Sequence, residues 1–88
     1  MYKIEFVFKF KSLKISRPDY LRIRKEIVLL SEDPRKMGSK KLSGYELYRV
    51  SVGSYRVIYQ IDDKKKTVEI LGIGHRKDIY RKISSFVL

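Results

Sequence analysis

Five side chains in the C-terminal half could do chemistry together: Arg49, Arg56, His75, Arg76 and Tyr80. Along 45–52, alternation puts Leu47, Arg49 and Ser51 on one face of a strand and Tyr48, Val50 and Val52 on the other. Along 55–61, Arg56, Ile58 and Gln60 alternate with Tyr55, Val57, Tyr59 and Ile61, so Arg56 can stand beside Arg49 across a hairpin. Like charges facing each other in a sheet are unfavourable, so the pair suggests an anion held between two guanidinium groups; solvated arginines on an open face are the alternative. His75 is the sole histidine, the side-chain type that titrates near neutrality, and it follows Gly72 and Gly74, two glycines that would loosen the chain. Tyr80 could serve as an acid, a base or a stacking platform, and as a base it would need cations such as Arg56 and Arg76 nearby.

The elements that must position these groups follow from periodicity. Residues 2–8 alternate apolar and charged types and suit a first strand with one buried face. Residues 9–15 carry Phe10, Leu13 and Ile15, a spacing open to either a short helix or the run-out of that strand. Ser16, Pro18 and Asp19 then stand ahead of Tyr20, Leu21, Ile23, Ile27, Val28 and Leu30, which predicts a helix over 18–31 whose apolar side is core and whose Arg22, Arg24, Lys25 and Glu26 face water. Pro34 ends it. Residues 35–44 predict a basic connecting loop anchored by Leu42, and 46–52, 55–61 and 67–73 predict three strands rich in Val, Ile, Leu and Tyr. Gly53-Ser54 suits a primed hairpin turn, and 62–66 makes the next turn. Ile79, Ile83 and Phe86 share one face of a short helix over 78–88. The order strand, helix, three strands, helix is that of an α+β domain with helices on a mostly antiparallel sheet.

At 88 residues, 43% of them hydrophobic, the chain suits a single domain over 1–88. Lys and Arg number 21 against 10 Asp and Glu, giving +11 and a pI near 10.0. Such a balance calls for a polyanionic partner, and an acidic protein that relieved the self-repulsion would stabilise the fold as well as bind it. Without cysteine, neither disulfides nor thiolate metal sites can staple the core. The short apolar runs and the charged N-terminal stretch fit neither a membrane span nor a signal peptide, so the cytoplasm is expected.

Four stretches then carry a resemblance: Lys41-Leu42-Ser43-Gly44; Tyr48-Arg49-Val50; Gly53-Ser54-Tyr55-Arg56-Val57-Ile58-Tyr59; and Gly74-His75-Arg76-Lys77-Asp78-Ile79-Tyr80. In this order and spacing they resemble the RelE branch of the RelE/ParE toxin superfamily, in detail over about the last half of the chain. The resemblance implies a RelE-like fold, a small mostly antiparallel sheet with N-terminal helices packed on it and a short C-terminal helix. It implies the toxin of a type II toxin–antitoxin system, a metal-independent mRNA interferase without cofactor that works in the ribosomal A site. There the ribose 2′-hydroxyl attacks the adjacent phosphodiester, leaving a cyclic phosphate and a free 5′-hydroxyl. The implied partners are the ribosome, mRNA and a RelB-like antitoxin in a hetero-oligomer, with no membrane.

By position, Arg56 and Arg76 match family arginines that hold the scissile phosphate, and Tyr80 matches a catalytic tyrosine. Arg49 and Ser51 stand where relatives carry lysines; a guanidinium is a poor base, so Arg49 is expected to steer and stabilise charge while His75 or Tyr80 moves protons. Lys40, Lys41, Arg35, Lys77 and Arg81 are expected RNA contacts, the alternative for the 35–41 stretch being a solubilising loop. A ParE-like gyrase inhibitor and a non-catalytic RNA-binding module are the rival readings.

Overall fold

In a computed structural model, residues 1–7, 15–42 and 44–82 are described. They form strand β1 (Lys3–Phe6), helix α1 (Arg17–Glu32), strands β2 (Ser39–Lys41), β3 (Tyr48–Val52), β4 (Tyr55–Asp62) and β5 (Thr67–His75), and a 3₁₀ turn (Ile79–Lys82). The expected α+β class is observed, with one α-helix among the described residues. The ambiguous stretch 9–15 lies outside them up to residue 14, and the predicted C-terminal helix lies outside them from residue 83.

Helix α1 starts where the sequence places its cap. The Ser16 hydroxyl accepts from the Asp19 N–H at 3.4 Å, Pro18 occupies the first turn, and the Asp19 carboxylate bonds Arg22 and Ser16, in that order of influence, which holds it below the usual carboxylate range. Asp33 caps the other end through its N–H to the Leu29 carbonyl, and Pro34 forbids continuation. Ile23, Ile27 and Leu30, spaced four and three apart, are the helix's buried residues, whereas Leu21 and Val28 remain about half exposed.

The five strands form one sheet in the order β1-β5-β4-β3-β2. β1 runs parallel to β5; all other pairings are antiparallel. On one side, α1 packs against Val50, Val52, Val57, Tyr59, Val68, Ile70 and Ile73, the main core. Hydrophobic burial here is the chief stabilising term, at roughly 1.5–3 kcal/mol for each fully buried aliphatic or aromatic side chain. The opposite side carries only a small cluster of Leu47, Ile58 and Ile79, bordered by Leu42 and Leu71.

Two expectations change. The basic loop 35–44 contains an edge strand, β2, which is three residues long and two-thirds lysine, a composition with weak strand propensity that suits an edge. β5 continues through His75, so Gly72 and Gly74 lie inside a strand and do not loosen it. The register of β4 and β5 also shifts between Ile58, opposite Gly72, and Tyr59, opposite Ile70, leaving Leu71 as the extra residue of a bulge. Val68 and Ile70 enter the main core before the bulge and Ile73 after it, so the inward parity of β5 switches from even to odd numbers. Among the described residues no helix is long and apolar enough to cross a membrane.

Candidate functional site

The side of the sheet away from α1 gathers the chemistry. Residues paired across neighbouring strands project to the same side, and the register sets Lys40 opposite Arg49, Ser51 opposite Arg56, and Arg56 opposite Gly74. Arg49 and Arg56 therefore share a face as expected, but diagonally: Arg49 itself faces Ile58. Ser51 stands between the two and accepts a hydrogen bond from Arg49 Nη1 at 2.8 Å. Arg56 Nη1 donates to the carbonyls of Gly53 (3.0 Å) and Tyr55 (2.9 Å), which fastens the guanidinium to the hairpin turn and leaves its Nη2 and Nε donors for an anion. The turn itself needs Gly53: its φ is +60°, with the second central residue, Ser54, not in the left-handed region, and an added Cβ would lie 3.3 Å from the Arg22 guanidinium.

Arg76 joins this end of the sheet through its backbone, whose N–H donates to the Ser54 carbonyl at 2.8 Å, two residues from Arg56. Its side chain is exposed and without a partner among the described residues. The 3₁₀ turn returns the chain to the open face, where Ile79 packs with Leu47 and Ile58. Gly74 admits it: a Cβ there would meet Ile79 Cδ1 at 3.2 Å, and the neighbour across the ladder is Arg56. Tyr80 follows Ile79 directly and is 41% exposed.

His75 goes elsewhere. Its ladder partner is Tyr55, on the α1 side of the sheet, so the pleat separates it from Arg56 and Arg49. Its ring meets the Tyr55 ring edge-on with centroids 6.0 Å apart, and its Nδ1 accepts the Lys77 N–H at 3.2 Å. The Leu71 bulge is responsible: with uniform alternation along β5, residue 75 would share the side of Thr67 and Glu69, which face Asp62 and Gln60 away from the helix.

The expected RNA contacts also divide. Arg35 makes a two-pronged ion pair with Asp63 (3.2 and 2.9 Å) and lies 5.7 Å from the centroid of the Tyr48 ring. Asp63, bonded first by Arg35 and then by the Tyr2 hydroxyl, is drawn down to about 2. Lys36, Lys41 and Arg81 pair with Glu26, Glu46 and Asp78. Lys40 and Lys77 have no carboxylate partner among the described residues. The open face thus carries Lys40, Arg49 and Arg56 with no acidic neighbour in contact, and Arg76 at its rim. No group of three or more His, Asp or Glu that could hold a metal ion occurs among the described residues.

A five-stranded sheet backed by one helix is a fold this chain shares with solved RelE toxins. The fold matches E. coli RelE in the RelBE toxin–antitoxin complex (TM-score 0.73, 28% identity, 85% of this chain and 96% of that one) and RelE of Pyrococcus horikoshii in its complex with RelB (TM-score 0.73, 29% identity, 88% and 97%). Toxin RelG of Mycobacterium tuberculosis is 41% identical over 56 residues, 60% of this chain and 62% of that protein, so the chain spans about three fifths of this curated relative. Residues 11–80 match the model of a family described as the ParE toxin of the type II toxin-antitoxin system, parDE. The chain belongs to that family, and with it to the RelE/ParE superfamily.

Proposed function

We propose that the chain is the toxin of a type II toxin–antitoxin pair and a ribosome-dependent endoribonuclease acting on mRNA in the A site. The observation that carries this reading is the set of cations on the open face, Lys40, Arg49 and Arg56, left without carboxylates while most cations around them are paired. Placing like charges on adjacent strands costs stability unless an anion lies between them, and a phosphodiester supplies that charge.

In this mechanism Arg56 and Arg76 hold the scissile phosphate and the charge that grows on its oxygens, and Arg49 adds to that field. The ribose 2′-oxygen bonds to phosphorus as its proton departs, the bond from phosphorus to the 5′-oxygen breaks, and Tyr80 gives the leaving oxygen a proton. A cyclic phosphate and a 5′-hydroxyl result. His75, on the other side of the sheet, takes no part. An acidic antitoxin fits the +11 charge, and the related E. coli and P. horikoshii toxins were solved bound to RelB.

The test is to add the protein to a translating extract and map mRNA ends by primer extension, with Arg76→Ala alongside. Ribosome-dependent ends are expected from the parent and not from the variant; their absence from the parent overturns the nuclease reading. The family match under the ParE name favours a second reading, inhibition of DNA gyrase by binding. Loss of gyrase supercoiling activity at stoichiometric protein, without RNA cleavage, would establish it. RNA binding with steep salt dependence and neither activity would leave a non-catalytic module.

A further inference from the structure

Cleavage by the 2′-hydroxyl needs a group that takes its proton, and the open face offers few. The guanidinium groups of Arg49 and Arg56 do not give up protons at any working pH, so they cannot serve as bases. The Ser51 hydroxyl already accepts from Arg49. His75 is set on the opposite side by the bulge in β5, with Nδ1 engaged by the Lys77 N–H. Tyr80 is committed to the leaving oxygen. A lysine amine differs from a guanidinium in that it can cycle between ammonium and neutral amine.

We infer that Lys40, on the edge strand β2, is the proton acceptor for the 2′-hydroxyl, an assignment that rests on the nuclease reading above. Its position carries the inference. Lys40 faces Arg49 directly, so its side chain leaves the sheet on the face that bears Arg49, Ser51 and Arg56. Strands lie about 4.8 Å apart and Arg56 is level with Ser51, two residues along β3 from Arg49, which puts the Lys40 and Arg56 backbones roughly 12 Å apart across β3, a gap that two extended basic side chains close from either side onto one phosphodiester.

The flanking lysines do not share this freedom. Lys41 faces Tyr48 on the α1 side and is tied to Glu46 at 3.3 Å, and Lys36 is tied to Glu26 at 3.0 Å. Lys40 is exposed and lies on the last strand of the sheet, and its side chain makes no hydrogen bond or ion pair among the described residues, so its amine is free to meet a ligand. In the step itself the neutral amine of Lys40 takes the 2′-hydroxyl proton as the 2′-oxygen bonds to phosphorus. The bond from phosphorus to the 5′-oxygen breaks, Tyr80 protonates that oxygen, and exchange with water restores the amine and the phenol.

The decisive variant is Lys40→Arg, which keeps the positive charge and removes the removable proton. Single-turnover cleavage of mRNA on programmed ribosomes is measured beside ribosome binding, for the parent, Lys40→Arg and Lys40→Ala. The expected result is binding by Lys40→Arg at parent affinity with cleavage slowed by about 10²–10⁴-fold, the usual worth of a general base, and partial recovery of Lys40→Ala by added ethylamine. Cleavage by Lys40→Arg at the parent rate overturns the assignment, and so does a loss of cleavage wholly explained by lost binding. A parent protein that cuts nothing fails the nuclease reading itself, whereas a cutting parent with a fully active Lys40→Arg fails only this assignment.

Discussion

Arginines at the two ends of the sheet are treated in opposite ways. Near the β4–β5 turn, Arg35 is held by both oxygens of Asp63, Tyr2 donates to the same carboxylate at 2.6 Å, and Lys66 lies 5.1 Å from the Tyr2 ring centroid. Tyr48 stacks on Tyr59 beneath Arg35, and the Tyr59 hydroxyl donates to the Pro34 carbonyl at 2.6 Å. Near the β3–β4 hairpin, Arg56 has only carbonyl partners, Arg49 only a hydroxyl, and Arg76 and Lys40 none among the described residues. The matched Arg35 fastens the 33–38 connection that delivers β2, whereas the unmatched Lys40, Arg49, Arg56 and Arg76 at the other end form the charge that a ligand would neutralise. Charge alone, evenly spread through the sequence, does not tell these apart.

The comparison breaks most visibly at Arg76. Arg76→Ala should lower ribosome-dependent cleavage by on the order of 10²–10³-fold, the usual loss when a donor to a developing oxyanion is removed. Its melting temperature should stay at the parent value, because the exposed side chain supports nothing else. A shifted melting curve would move Arg76 from the site into the fold.

At the matched end, the effect should fall on stability. Tyr59→Phe leaves the buried Pro34 carbonyl without its donor, a loss of about 1–3 kcal/mol that a urea titration would read as a lower midpoint. Burial pushes the Tyr59 phenol up to about 12, so the parent should also lose stability as pH rises from the ordinary tyrosine value near 10 toward about 12, and Tyr59→Phe should lack that component.

A smaller effect is expected at Asp63. Its folded pKa of about 2 lies below the unfolded value near 3.9, so its contribution is present above the unfolded value and fades as pH falls toward about 2. Asp63→Asn should flatten that limb of the stability profile while cleavage at neutral pH persists; an unchanged acid limb would show that the Arg35 pair contributes nothing. The smallest effect is reserved for His75. His75→Gln should leave both the rate and the pH profile of cleavage unaltered, and a displaced profile would return His75 to the mechanism.

Much of the fold is legible in residue types. Ser16, Pro18 and Pro34 bracket the helix, its buried positions recur at helical spacing, and Gly53-Ser54 marks the hairpin that sets Arg56 beside β3. β2 is not legible, because lysines on an edge strand lack the β-branched and aromatic signature, and its position depends on Arg35 and Tyr59 tying down the preceding turn. Nor is the Leu71 bulge, since Gly72 and Gly74 look the same in a loop as in a strand.

Composition and local spacing by themselves determined a basic α+β domain, its helix, its hairpin and the presence of Arg49 and Arg56 on one face. Those features depend on side-chain period and turn chemistry, which act over a few residues. Only tertiary structure decided that Lys40 joins Arg49 while Arg35 does not, and that His75 leaves the cationic face. Both outcomes depend on strand register, and register is settled by contacts between residues far apart in the chain.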